Sequence, residues 1–152
     1  MNREFEQCLE SGKIAPFERG KGLVKKELSV GEGDLRDASA GFQDKRYKWS
    51  TIQAYYAMFH AARALVYSRG YREKSHHCLS VALRALFVES GELDAQSGRD
   101  FLNAMNLREA ADYESHFSEA GAAAVIGAAG KFIERARGLL EQRPPQGTGG
   151  TP

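Results

Sequence analysis

Cysteine is scarce in this 152-residue chain: Cys8 and Cys78 stand far apart, and no C-x-x-C or similar metal spacing occurs. Two isolated cysteines predict reduced thiols in a cytosolic protein. Net charge is equally modest, +1, so the whole chain carries no field that would draw it to nucleic acid. No apolar run approaches the ~18 residues needed to span a bilayer. The opening residues MNREFEQCLE are acidic and polar, unlike a signal peptide. H-E-x-x-H, P-loop, G-x-G-x-x-G and G-x-S-x-G patterns are all missing. Glu73 to His76 has the Glu-x-x-His spacing once, but a di-iron bundle needs a second copy. No metal and no cofactor are therefore expected. No segment alternates with period two long enough to demand a strand, and internal repeats are not evident.

What is present is helix after helix. At 42% hydrophobic residues, the chain should fold around a normal core. Asn2 to Ser11 reads as a short first helix. Gly20 to Phe42 is a weaker helical pattern, and GEGD (Gly31 to Asp34) should kink or break it, since glycine costs roughly 1 kcal/mol in a helix interior. Arg46 to Arg69 is strongly helical. Ser75 can cap a helix running to about Ser90, with Gly91 as its stop. Asp94 to Tyr113 follows, and then a last helix capped by Ser118, with Phe117 at the staple position. Ala122, Val125, Ile126, Ala129, Phe132, Ile133, Ala136 and Leu140 form its apolar stripe. The expected fold is all-α, an antiparallel helical bundle of four to six helices in one domain, residues 1–142. RPPQGTGGTP, residues 143–152, should be a disordered tail.

Charge is unevenly placed. Thr51 to Ser80 carries four basic residues (Arg63, Arg69, Arg72, Lys74) and one glutamate, a local excess that could meet phosphate or simply be a solvated loop. On the strong helix, Ile52, Tyr55, Met58, Phe59, Ala62, Leu65 and Val66 share an apolar face. Gln53, Tyr56, His60, Arg63 and Tyr67 form a polar-tipped strip beside it. That strip is either a pocket or subunit interface, or a buried hydrogen-bond network positioning neighbouring helices. On the next long helix Arg108 falls on the same face as Phe101 and Met105. An inward arginine needs a partner, and Asp112 lies one turn on. The pair is either structural, or an arginine held by a carboxylate and aimed at a phosphate.

His76 and His77 fall in the first turn after the cap Ser75, where free N–H groups and the macrodipole favour anions. With Arg69, Arg72 and Lys74 they suggest a phosphate-binding corner, although a histidine at a helix start can equally be plain surface. A neutral imidazole there could serve as a general base. His116, near Tyr113, is a second candidate for that role.

Three separated segments carry a family resemblance: AYYAMFHAARALVYSRGY (Ala54 to Tyr71), KSHHCL (Lys74 to Leu79) and LREAADYE (Leu107 to Glu114). Together they resemble the HEPN domain family of bacteria and archaea, over about Asp34 to Leu140. The resemblance implies a small helical bundle that dimerises, with the two copies lining one cleft. It also implies pairing with a minimal nucleotidyltransferase in a toxin–antitoxin system. Active members are metal-independent endoribonucleases whose signature is Arg, four to six residues, then His. Here Arg108 is the counterpart of the arginine, but Tyr113 stands where the histidine would first fall, and His116 comes after seven intervening residues.

The expectation from sequence is thus a cytoplasmic, homodimeric bundle that pairs with a nucleotidyltransferase and binds nucleotide or RNA phosphate. Two alternatives stand beside it. One is an RNase toxin using Arg108, held by Asp112, with His116 or Tyr113. The other is a purely structural interaction domain.

Overall fold

The computed structural model describes residues 2–142, so the expected tail lies outside the described residues. The fold is all-α, with six helices among the described residues: α1 (Arg3–Glu10), α2 (Val24–Gln43), α3 (Tyr47–Ser68), α4 (His76–Leu83), α5 (Ala95–Tyr113) and α6 (Glu119–Gln142). Caps follow the sequence closely. Side chains of Asn2, Ser75 and Asp94 accept from Phe5, Cys78 and Ser97 N–H groups, and Ser118 Oγ accepts from Gly121 N–H at 2.9 Å. Phe117, at the staple position, remains 47% exposed.

Helix α3 is the axis of the bundle, flanked by α2, α5 and α6, and α4 also packs against it. A short turn at 44–46, with Lys45 in the left-handed region (φ 62°), folds α2 back along α3. Alanines 54, 57, 61, 62 and 64 are fully buried, which brings neighbouring helices close, while Tyr55, Met58, Leu65 and Val66 fill the core between them. Phe101 of α5 meets Phe132 of α6 with ring centroids 5.9 Å apart, and both are buried.

Three features depart from the sequence reading. The expected break at Gly31 to Asp34 does not occur: α2 runs unbroken from Val24 to Gln43, after a 3-10 turn at Glu18–Leu23. The reason is packing. Gly31 is buried, and a Cβ on it would lie 2.8 Å from the Ala57 carbonyl oxygen. Its missing side chain lets α2 touch the α3 backbone, and that contact offsets the local propensity cost. Secondly, a two-stranded antiparallel ribbon forms between β1 (Ile14–Pro16) and β2 (Tyr71–Glu73), too short to leave a period-two signature. Thirdly, Cys8 and Cys78 are joined in a disulfide rather than left as thiols. Folding brings their Cα atoms to 6.0 Å, within bonding range, which separation along the chain conceals. In the loop-entropy account such a link contributes on the order of 4 kcal/mol. The α4 segment does run on past Leu83 as expected, but through a π-helical turn (Arg84–Val88) before Gly91, at φ +83°, ends it.

No helix among the described residues is long and apolar enough to cross a membrane.

The two glycines of the GEGD stretch should respond oppositely to alanine. Gly31→Ala should lower unfolding free energy by on the order of 1 kcal/mol, because overpacking outweighs the gain in helix propensity. Gly33→Ala, whose Cβ would meet only the flexible end of Arg36 at 3.7 Å, should raise it by up to about 1 kcal/mol. Urea denaturation of both variants checks this.

Candidate functional site

The β2–α4 corner and the adjoining face of α3 enclose an open cleft of about 400 Å3, lined by Phe59, Arg63, Arg72, Glu73, Lys74, Ser75 and His76. Local structure aims these groups. The ribbon holds Arg72 and Glu73 in extended backbone. Ser75 stops the extension and caps α4, which places His76 in the first helical turn.

Glu73 is only 4% exposed and receives the Arg63 Nε–H at 3.0 and 3.3 Å on its two oxygens. Burial pushes the Glu73 carboxyl up, against the pull of Arg63. Arg63 also lies over the Phe59 ring at 5.0 Å and the Tyr67 ring at 5.8 Å. Arg72 lies over Phe17 at 5.0 Å, and its Nε is buried with no hydrogen-bond partner. Neither Arg72 nor Lys74 has a carboxylate within salt-bridge distance among the described residues.

Behind the cleft runs a buried polar relay. The Tyr55 hydroxyl and His76 Nδ1 are 2.7 Å apart. Burial holds the Tyr55 phenol far above its ordinary range, so it stays protonated. Burial also pushes the His76 pKa down, aided by the positive charges of Arg108 and Arg63. With the Tyr55 O–H donating to Nδ1, the neutral ring carries its proton on Nε2. His76 then offers the cleft an N–H donor.

Arg108 sits on the other side of the same tyrosine pair. Its Nη2 donates to the Tyr56 hydroxyl at 2.9 Å and pairs with Asp112 Oδ2 at 3.2 Å. The guanidinium lies 5.3 Å from the Tyr56 ring centroid, 5.9 Å from Tyr55 and 5.5 Å from Tyr113. Its Nε is buried without a partner. Tyr113 is 75% exposed, whereas the Arg108 side chain beside it is only 11% exposed. His116 is exposed, and its backbone N–H closes the end of α5 on the Ala110 carbonyl at 3.0 Å.

The strip on α3 is divided among three surroundings. Tyr56 joins Arg108, and Arg63 joins the cleft. His60 faces α2, with Nδ1 2.8 Å from Glu27 Oε1 and Nε2 3.7 Å from Asp34 Oδ2. Burial opposes ionisation of Glu27, but the hydrogen bond and charge of His60, with Arg63 and Lys26, leave its pKa lowered. Tyr67 is buried against Phe17, and Gln53 is half-buried where α2 passes at Gly41. Arg69 points away from the cleft: it pairs with Glu92 at 2.6 Å, donates to the Leu86 carbonyl and lies over Phe87. His77 is exposed and does not line the cleft.

Sequence reading did not single out Tyr55, Phe59, Glu27 or Phe17 as site groups, and it met Glu73 only as a failed metal spacing. Tyr55 and Phe59 fall on the apolar stripe, where a core role is the natural reading. Only the tyrosine hydroxyl at a fully buried position hinted at a polar partner. Among the described residues no three His, Cys, Asp or Glu side chains converge as a metal site.

Because the folded chain resists protonating His76 and the unfolded chain does not, the unfolded state binds more protons below the ordinary histidine pKa. The His76 contribution to stability is therefore complete above pH ~6.5 and lost as pH falls through that value toward the lowered folded pKa. Melting temperature should drop more steeply between pH 7.5 and 5.5 in the wild type than in His76→Gln, which keeps a group able to accept from Tyr55. Equal slopes would show that His76 is not held neutral.

The HEPN domain profile matches residues 24–141. A protein of Methanocaldococcus jannaschii named Putative toxin MJ0605 is 30% identical over 116 residues, covering 76% of this chain and 87% of that relative. A UPF0332 protein of Gloeobacter violaceus is 30% identical over 114 residues, covering 73% of this chain and 90% of its own. The crystal structure of TT1696 from Thermus thermophilus superposes with a TM-score of 0.67 at 17% identity, over 78% of this chain and 98% of that one, a likeness of fold. A bundle built on the tyrosine-rich α3, with an inward Arg108 on α5, thus coincides with a profile spanning most of the chain: the protein belongs to the HEPN domain family.

Proposed function

We propose that this chain is the toxin-like member of a pair with a nucleotidyltransferase, working in the cytoplasm as a homodimer. On this reading it binds nucleotide or RNA through a phosphate seated in the cleft between α3 and the β2–α4 corner. The observation that carries the binding reading is the donor set of that cleft. Arg63, Arg72, Lys74 and the His76 N–H surround one opening, and among the described residues only Arg63 of the three cations has carboxylate partners, Glu73 and Glu27. Arg72 lines the opening, is held over Phe17 and has no carboxylate within salt-bridge distance among the described residues. The first turn of α4 adds its free N–H groups and positive dipole end. Relatives named as putative toxins support the toxin-like role.

A second reading, a metal-independent endoribonuclease, is favoured by the approach of the exposed Tyr113 to Arg108. There the arginine would hold the scissile phosphate. Tyr113 or His116 would take the 2′-OH proton as O2′ attacks phosphorus and the 5′-oxygen leaves, protonated by a second donor.

Two measurements separate these readings. Titration with inorganic phosphate and a short single-stranded RNA should give salt-dependent binding. Arg72→Ala should weaken it about ten- to hundredfold with little change in melting temperature. Unchanged affinity in that variant would remove the cleft from the binding site. Incubation with RNA in EDTA, beside Arg108→Ala, tests the nuclease: cleavage by the wild type alone would place Arg108 in a metal-independent reaction.

A further inference from the structure

The family profile begins at residue 24, so α1, β1 and the 3-10 turn are an addition in front of the matched domain. That addition lines none of the cleft itself but braces the strand that forms one wall of it. Ile14, Ala15 and Pro16 pair with Glu73, Arg72 and Tyr71, Lys74 N–H donates to the Lys13 carbonyl at 2.8 Å, and Phe17 N–H donates to the Gly70 carbonyl at 2.6 Å. Phe17 lies under the Arg72 guanidinium, and Phe5 packs edge-on against Tyr71 at 5.7 Å. A three-residue strand has no stability of its own, so β2 holds Arg72 and Glu73 extended only while β1 is beside it.

The covalent tie between this addition and the rest of the site is the Cys8–Cys78 disulfide. Its two ends bracket the cleft wall. The Cys8 carbonyl accepts from Lys13 N–H at the approach to β1. Cys78 shares the first turn of α4 with His76, and its N–H is the one capped by Ser75. Helices α2, α3, α5 and α6 pack on one another without it.

We propose that the Cys8–Cys78 disulfide is a redox latch on the cleft: closed, it holds the N-terminal segment against the basic wall, and opened, it releases that wall and weakens phosphate binding. The inference rests on the phosphate reading of the cleft and names its regulation. A dithiol reductant supplies two electrons and two protons. One of its thiolates attacks a cysteine sulfur, the mixed disulfide is resolved by its second thiol, and Cys8 and Cys78 become thiols while the reductant closes to its own disulfide. Both cysteines are buried, so reduction proceeds through opening of α1, the movement that also frees β1. In a reducing cytoplasm a protein disulfide is characteristically transient or redox-sensing rather than a permanent staple.

The test compares the full chain as the disulfide, the same protein reduced by excess dithiothreitol (confirmed by the mass of two added hydrogens), and Cys8→Ser. Each is examined by hydrogen–deuterium exchange and by titration with inorganic phosphate and a short single-stranded RNA. Expected is faster exchange over residues 3–16 and 71–74 in the reduced protein and in Cys8→Ser. Protection in α2, α3, α5 and α6 should be retained, and affinity should be lowered on the order of tenfold through lost preorganisation. If Cys8→Ser does not fold, Cys78→Ala carries the same comparison. Full reduction with unchanged exchange and unchanged affinity overturns the latch, and so does global unfolding on reduction, which would make the bond a staple. If the oxidised protein binds neither probe while reduction still loosens 3–16 and 71–74, the mechanical latch stands and the phosphate reading of the cleft is what fails.

Discussion

Helix α3 is enclosed along most of its length, and a polar side chain in such a place must find a partner or cost the fold several kcal/mol. Much of this protein follows from how α3 meets that demand. Tyr55 is satisfied by His76 of α4, Tyr56 by Arg108 of α5, His60 by Glu27 of α2, and Arg63 by Glu73 of β2. Each pair fixes one neighbouring element against the central helix at a defined height. The alanines between them allow the approach, and the polar pairs set the register.

The same pairs leave particular groups uncommitted. A salt bridge uses up most of the anion-binding capacity of an arginine, so the useful distinction lies between cations already matched by carboxylates and cations that are not. Arg69 is matched by Glu92 and further held by a carbonyl and a ring, which suits a strut between α3 and the π-helical turn. Arg137, paired with Glu32, joins α6 to α2 in the same way. Among the described residues Arg72 and Lys74 have no such match, and they stand beside a histidine whose neutral ring can donate. Arg108 is intermediate, with Asp112 and Tyr56 on one nitrogen and an unused Nε. His76 and Arg108 thus each bond one member of the Tyr55–Tyr56 pair, and the charge of Arg108 is one cause of the low His76 pKa.

The N-terminal segment contributes differently. It adds Phe5, Cys8 and Ile14 to the buried core, and it also braces the strand that carries Arg72. The residues that line the cleft all lie in the part that matches the family, and the segment in front of that part braces the strand that carries Arg72. Covalent closure through Cys8 and Cys78 ties that brace to α4.

Local patterns in the sequence were enough to determine most of the helices and their caps, because periodicity and capping act over one or two turns and are written in neighbouring residues. The partnership of Arg108 with Asp112 was legible for the same reason, being one turn long. Continuity through Gly31 was not, since the compensating contact is with Ala57, far along the chain. Nor were the Tyr55–His76 bond, the burial of Glu73 against Arg63, the diversion of Arg69 to Glu92, or the Cys8–Cys78 bond. Each joins residues on different elements. Whether such groups meet depends on how helices pack in three dimensions, and packing is decided by the sum of many weak apolar contacts rather than by any motif. Tertiary structure alone therefore chose which basic residues became struts and which, among the described residues, kept no carboxylate partner.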